Sequence, residues 1–389
     1  MDELPLRYGL NPHQGRARAF VSDGRLPFRV LNGRPGYVNL LDALNSWQLV
    51  RELRAVAGMP AAASFKHVSP AGAALGVELT PELAESCGVE PGELSPLAAA
   101  YARARGADRM SSFGDWVGLS DPCDVPTARL IKREVSDGCI APGFEPGALE
   151  LLKAKKGGSY PVLEVDADFE PGTTETRQVF GVTLEQERNS KPTTPESLER
   201  VVTRRTELPA IARRDMLVAM VVLKYTQSNS MCVVREGQAI GVGAGQQSRI
   251  HCTRLACAKA DRWLLRLHPK VRAMKFRRGV SRSDRATAVD LYLEDDVTEQ
   301  ERAAWRERFD DVPPPLAQDE KREWLDRFRD SVLGSDAFIP FRDNIDRAAR
   351  SGVGFIVQPG GSSRDEEVIR AADDYGMVMA FTGLRLFHH

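Results

Sequence analysis

Lys66 and His67 stand side by side where a small apolar run, Ala61 to Phe65, gives way to Val68-Ser69-Pro70. A histidine can take or give a proton near neutral pH, and a neighbouring ammonium can lower the imidazole pKa or meet negative charge developing on an oxygen. The apolar run reads as a short buried strand, and Pro70 turns Ser69 away from helix, so the pair falls at a strand's exit with the chain turning at Ser69-Pro70. Exits of that kind are where α/β proteins place their sites. Taken alone, the pair fits two readings, proton-transfer chemistry or a solvated loop.

Six longer motifs accompany it. They are LRYGLNPHQ from Leu6, SFKHVSPAGAA from Ser64, LKYTQSNSM from Leu223, GAGQQSRIHCTRLA from Gly243, DAFIPFRDNIDRAARSG from Asp336 and the terminal LRLFHH from Leu384. In this order, from near residue 6 to the last residue, the sequence resembles the AICAR transformylases. These form the formyl-transfer half of a bifunctional purine-biosynthesis enzyme that also carries an IMP cyclohydrolase domain. The resemblance implies formyl transfer from 10-formyltetrahydrofolate to the 5-amino group of AICAR, giving formyl-AICAR and tetrahydrofolate. It also implies a homodimer with shared sites, and an α/β fold containing two cytidine-deaminase-like subdomains. Only a handful of residues precede Arg7, where the fused enzymes carry the cyclohydrolase, so ring closure is expected from a separate IMP cyclohydrolase.

Residue by residue, the resemblance makes Lys66 and His67 the catalytic pair, with Asn229 in QSNS beside the reacting formyl group. Arg7 and Tyr8 in LRYG, Gly114 in SFGD, Asp137 in EVSDG, Arg249 in QQSRIH, Phe338 in DAF and Arg385 in LRLF match positions that contact the AICAR nucleotide. Arginines suit a phosphate, Asp137 can accept from ribose hydroxyls or base amides, and Phe338 offers an aromatic face. Ile250, Pro340, Asp343, Asn344, Ser362 and Ser363 match the folate side, the last two within a substitution-tolerant glycine-rich loop. A structural potassium ion is implied near Thr226, Ser228, Ser230, Asp336 and Leu386, whose hydroxyls, carbonyls and carboxylate suit a hard cation.

The 389-residue chain is long for one core, so two or more packed lobes are expected. A formal net charge of -1 with 28% charged residues gives no basic excess to attract nucleic acid. No signal-peptide pattern opens the chain, and no apolar run approaches the roughly 18 residues of a membrane span, so a cytoplasmic location is the default expectation. The six cysteines are scattered without a C-x-x-C pair, which argues against a disulfide framework or a structural zinc site and for reduced apolar fillers.

Helical periodicity covers Asn39 to Ala57 and stops at Gly58, and a second helix follows over Pro96 to Arg105. Asp121 to Asp124 supply caps for a helix over Val125 to Val135. Short strands at Cys139 to Pro142 and Tyr160 to Val165 flank a helix over Gly147 to Lys155, an alternation that predicts a largely parallel sheet. The proline-bearing stretch Lys191 to Pro195 marks the lobe boundary, giving lobes 1–195 and 196–389. Glu236-Gly237 reads as a hairpin turn, and the charge-rich segment 281–333 as a helical insertion. The final helix-strand-helix-strand run, Arg342 to Phe381, repeats the order of Val125 to Val165. Gly241-Val242-Gly243-Ala244-Gly245 lacks dinucleotide spacing, so NAD binding is not expected. The deaminase zinc signature, H-x-E with P-C-x-x-C, occurs in neither half, so no zinc cofactor is expected. Two rival readings are a non-catalytic nucleotide-binding or scaffolding protein of the same fold and a deaminase-like hydrolase. Intact Lys66, His67 and Asn229 oppose the first, and the missing ligands oppose the second.

Overall fold

A computed structural model describes residues 2–90, 92 and 94–389. β1 (Asp2–Leu6) and β2 (Ala17–Val21) form a hairpin of their own, and β3 (Phe28–Asn32) leads into α1 (Tyr37–Ala57). Gly58 stops α1 in the left-handed conformation at φ 66°. The first half continues with β4 (Ala61–Lys66), β5 (Ser69–Leu75), α2 (Pro81–Cys87) and α3 (Pro96–Ala107), then β6 (Asp115–Leu119), α4 (Val125–Arg133), β7 (Ser136–Ala141), α5 (Pro146–Lys153) and β8 (Val162–Val165). Asp124 caps α4 by accepting from the Thr127 N–H at 2.8 Å, as its sequence position predicts.

β9 (Thr174–Val179) and β10 (Val182–Glu187) form a second separate hairpin, every residue of which is exposed. The second half runs α6 (Ala210–Lys224), β11 (Met231–Arg235), β12 (Gln238–Gly243), α7 (Arg249–Leu265), α8 (Pro269–Arg272), α9 (Arg282–Leu293), α10 (Glu299–Arg306) and α11 (Gln318–Leu325). It closes with β13 (Ser331–Ser335), α12 (Asp343–Arg350), β14 (Val353–Gln358), α13 (Asp365–Asp374) and β15 (Val378–Phe381). Among the described residues no helix is long and apolar enough to cross a membrane.

Eleven strands make one sheet, in the order β15-β14-β13-β11-β12-β5-β4-β6-β7-β8-β3. The expectation of a largely parallel sheet is corrected here. Parallel pairing is confined to two arms, β6-β7-β8 and β13-β14-β15, and the centre is built from antiparallel hairpins. The missing element was β5: its SPAGAAL sequence carries no β-branched or aromatic residue, so propensity gives no strand signal, and tertiary pairing with β4 overrides that. Alternation along β4 then splits the interior, with Ala62 facing the layer of α2, α3, α4 and α7, while Ala61 and Ala63 face α1 and α6.

The two halves carry the same element order, helix, hairpin, helix and then a parallel arm with crossover helices, which extends the repeat read from sequence to the whole of each half. Close packing repeats with it. At the fourth residue of β5 and of β12, an added Cβ on Gly72 or Gly241 would lie 2.2 Å from the Ala104 carbonyl of α3 or 2.1 Å from the Ala256 carbonyl of α7. Both strands need glycine for the same reason, the approach of a helix backbone.

The insertion occupies the connection between α7 and β13. Its helices share a small core of Leu265, Val271, Leu293 and Leu316, and the Trp324 indole N–H donates to the Leu264 carbonyl at 2.9 Å. Residues 331–333, expected inside the insertion, belong to the buried strand β13.

Candidate functional site

His67 and Val68 are the two central residues of the β4–β5 hairpin, with φ of 54° and 61°. The chain therefore turns at the chemical residues themselves, two residues earlier than the Ser69-Pro70 turn expected from sequence, and Ser69 and Pro70 already lie in β5. Tight hairpins favour this left-handed pair of conformations, ordinarily with Asn-Gly. A β-branched valine there is unusual, and holding it costs on the order of 1–3 kcal/mol that the surroundings must supply. Asp42 of α1 is the visible restraint: the Val68 N–H donates to its Oδ1 at 2.6 Å. Burial raises the Asp42 carboxyl above its usual range, while the Val68 and His67 N–H groups and the nearby imidazole pull it back down. Sequence reasoning passed over Asp42; its signal was an acidic residue on the core-facing side of the LLDALNSW stretch.

Lys66 ends β4 with its ammonium donating to the Phe113 carbonyl at 2.5 Å. The residues on either side of Phe113 are held by a buried network. Arg105 donates to the Ser112 carbonyl at 2.6 Å and to Asp115 at 2.7 Å, and the Ser64 hydroxyl donates to Asp115 at 2.5 Å. The next residue, Gly114, has φ 77°, and a Cβ there would sit 3.6 Å from the Asp137 carboxylate, which the Lys156 ammonium meets at 2.7 Å. Lys66, His67, Gly114 and Asp137 thus share one end of the sheet, at the exit of β4 and the starts of β6 and β7.

β12 and β5 pair only at the far end, through Gln238 and Ala74 with the Leu75 N–H donating to Gly237 at 2.9 Å. Towards His67 they part, leaving a cleft of about 330 Å³ lined by Lys66, His67, Ser69, Val242, Ala244 and Lys259. The segment carrying Asn229 closes on the same hairpin, the Gln227 N–H donating to the Ser69 hydroxyl at 3.3 Å. Asn229 accepts from Arg249 at 2.9 Å and donates through Nδ2 to the Gln247 carbonyl at 3.2 Å. One amide N–H remains free to donate.

Arg249 is buried. Its guanidinium donates to the Asp336 carboxylate, to the Ser230 carbonyl at 3.0 Å and to Asn229, so in this arrangement it fixes protein groups. Asp336, fully buried, also accepts from the Ser228 hydroxyl at 2.6 Å and the Ser230 N–H at 2.9 Å, and its carbonyl accepts from the Leu386 N–H at 2.8 Å. Ser228, Ser230 and Leu386 are thus joined through Asp336, whereas the Thr226 hydroxyl donates back to the Val222 carbonyl at 2.6 Å; the buried Ser230 hydroxyl has no protein partner. An orphaned oxygen beside a carboxylate fits a hard cation.

Of the residues matched to folate, Ile250 lies in the first turn of α7, Pro340 in the loop after β13, Asp343 and Asn344 at the start of α12, and Ser362 and Ser363 in the loop after β14; Phe338 also follows β13. Phe338 and Asp343 are exposed, and Ile250 and Pro340 half-buried. Asn344 is buried, accepting from the Thr253 hydroxyl at 2.7 Å and donating to Asp343 at 2.8 Å, which ties this loop to α7. Ser362 and Ser363 lie in the turn that Asp365 pins through the Gly361 and Ser362 N–H groups. Arg385 is exposed over the Phe387 ring, and Arg7 is exposed over Tyr8 at the end of β1; among the described residues no hydrogen bond joins either arginine to the cleft.

A family model described as AICARFT/IMPCHase bienzyme matches residues 1–259. Two bacterial relatives, each named bifunctional purine biosynthesis protein PurH, are similar along nearly the whole chain. That of Roseobacter denitrificans is 34% identical over 390 residues and that of Cereibacter sphaeroides 34% over 398. Each match covers 99% of this chain and 59% of the relative, so the chain spans about three fifths of their length.

Proposed function

From the premise that the chain belongs to the AICARFT/IMPCHase bienzyme family, we propose that it transfers the formyl group of 10-formyltetrahydrofolate to the 5-amino group of AICAR. The observation that carries this reading is the adjacent Lys66 and His67 on a restrained turn at the mouth of a cleft, with the segment leading to Asn229 hydrogen-bonded to Ser69 of the same hairpin. The AICAR amine is attached to an electron-poor ring and is a weak nucleophile. As its nitrogen bonds to the formyl carbon, the carbonyl oxygen becomes an oxyanion and the nitrogen gains a proton it must lose. His67 takes that proton. The remaining Lys66 N–H groups and the free Asn229 N–H meet the oxyanion. Collapse breaks the bond to the folate nitrogen, which leaves with a proton from Lys66 or solvent. Arg7, Tyr8, Gly114, Asp137, Phe338 and Arg385 are read as nucleotide contacts, and Ile250, Pro340, Asp343, Ser362 and Ser363 as folate contacts. Arg249 and Asn344 act on this reading by fixing Asn229 and the folate loop. A potassium ion beside Ser230 would supply fixed positive charge where the Asn229 segment turns. We read the halves as two cytidine-deaminase-like subdomains, 1–195 and 196–389.

The layout of the sheet supports a site shared by two copies of the chain. Asp137 is the second residue of β7 and Phe338 follows β13, six interstrand steps apart, or roughly 29 Å at about 4.8 Å per step. That is longer than a mononucleotide, so residues from both arms reach one nucleotide only if a second subunit brings one arm to the other. The β9–β10 arm supports the same reading. Val179, Phe180, Val182 and Leu184 are all exposed there, and an isolated hairpin with an apolar tip is marginal without a partner. Specific activity is expected to fall as enzyme is diluted, in step with dissociation followed by sedimentation; a fully active monomer refutes the shared site. The catalytic reading is tested by release of tetrahydrofolate. Release is expected only when AICAR accompanies the formyl donor, and release at the same rate without nucleotide, or none with both present, contradicts it.

A further inference from the structure

We infer that Asp42 positions and charges the catalytic turn, acting through His67, a role that rests on the proposed base function of that histidine. The argument comes from the internal repeat. Asp42 is the sixth residue of α1, and Asp215 is the sixth residue of α6. Each carboxylate grips the hairpin that follows it: Val68 N–H to Asp42 at 2.6 Å, and Gly237 N–H to Asp215 at 2.8 Å. Both turns have two consecutive positive φ values, 54° and 61° at His67-Val68 and 51° and 76° at Glu236-Gly237. Helix carboxylate, bond and turn geometry are therefore the same device used twice.

The two copies differ in what they carry. The second has a glycine where the left-handed conformation is required, and its Glu236 lies at the end of the sheet away from the cleft. The first has valine at the corresponding position, a poorer fit to that conformation, and histidine where the second has glutamate. A turn built from residues that disfavour it relies more heavily on its anchor. In the first copy the anchor also stands near a group that becomes cationic when it accepts a proton. Asp42 thus serves His67 twice, fixing the backbone from which the imidazole projects and supplying negative charge close to the imidazolium.

Other charges also face His67. Lys66 adjoins it; Asp137, itself paired with Lys156 at 2.7 Å, lies on the β7 side; Lys259, paired with Asp108 at 3.0 Å, stands across the cleft. None of these touches the turn's backbone as Asp42 does. Burial raises the carboxyls of Asp42 and Asp215 alike, so an isosteric amide at either place removes a similarly buried charge. Asp215 is therefore the internal control.

The test compares Asp42→Asn, Asp215→Asn and His67→Ala with the wild type, measuring turnover, the nucleotide KM and the imidazole titration of His67 by NMR. Asp42→Asn keeps an acceptor oxygen and loses the charge. It is expected to lower kcat by roughly tenfold or more, since small misplacements of reacting groups can cost up to about 10²-fold, with KM within about threefold. The His67 midpoint is expected to move down. Asp215→Asn is expected to stay within about twofold of wild type, being remote from the reacting atoms. An unshifted titration and kcat in Asp42→Asn, with His67→Ala inactive, overturns the inference while leaving the base assignment standing. A His67→Ala enzyme as active as wild type removes the base assignment, and the catalytic role of Asp42 with it. If Asp42→Asn fails to fold, Asp42→Ser keeps an oxygen acceptor in a smaller side chain and is read against the same expectations.

Discussion

Replacing His67 with alanine is expected to lower turnover by roughly 10²–10⁴-fold, the range that a positioned proton acceptor contributes. The loss should fall on kcat. His67 is exposed at the tip of the turn and packs nothing in the core, so the fold and the nucleotide KM should change little. Lys66 remains, held by the Phe113 carbonyl, and gives a residual rate through oxyanion stabilisation. Steady-state kinetics with both substrates varied decide the matter, and turnover within threefold of wild type would remove His67 from the reaction.

Arg249→Met is expected to act on stability and on catalysis together. Arg249 is the one cation paired with the fully buried Asp336 among the described residues, and taking it away leaves a carboxylate with neutral donors from Ser228 and Ser230 only. Removing one partner of such a pair costs roughly 3–5 kcal/mol. Asn229 also loses its restraint, so turnover should fall in protein that remains folded. Denaturant unfolding of Arg249→Met and of the double variant Arg249→Met with Asp336→Asn measures this, the second change being expected to recover part of the loss. A variant as stable as wild type with a raised nucleotide KM alone would show that Arg249 serves as a phosphate ligand and not as the fastener of the Asn229 segment.

The difference between those two residues shows what the chain makes legible. His67 could be found because its chemistry is local: an ionisable pair at the end of an apolar run needs only neighbours in sequence to be noticed. Helix α1 with its Gly58 stop and α4 with its Asp124 cap were legible for the same reason, since capping is decided within a few residues. Arg249 reads as a ligand contact because its burial depends on Asp336, which is 87 residues away. Asp42 went unread because its partner is the backbone of Val68, 26 residues on, and backbone donors leave no mark in sequence. Strand β5 was hidden by composition, its alanines and glycine chosen for the close approach of α3 and not for strand propensity. The repeat was visible in its final portion only, because the two hairpins share geometry, the Asp anchors and the strand glycines but little else.

The central claim is that a formyl group moves from the folate to the nucleotide at the Lys66–His67 cleft. Carbon-13 in the formyl group of 10-formyltetrahydrofolate, followed by NMR after mixing with AICAR and enzyme, tests it most directly. Label is predicted to appear in a formamide bonded to the 5-amino nitrogen of the nucleotide, with unlabelled tetrahydrofolate released in equal amount, and the rate is predicted to collapse in His67→Ala. Label recovered as free formate, or retained on the folate while AICAR stays unchanged, would contradict it.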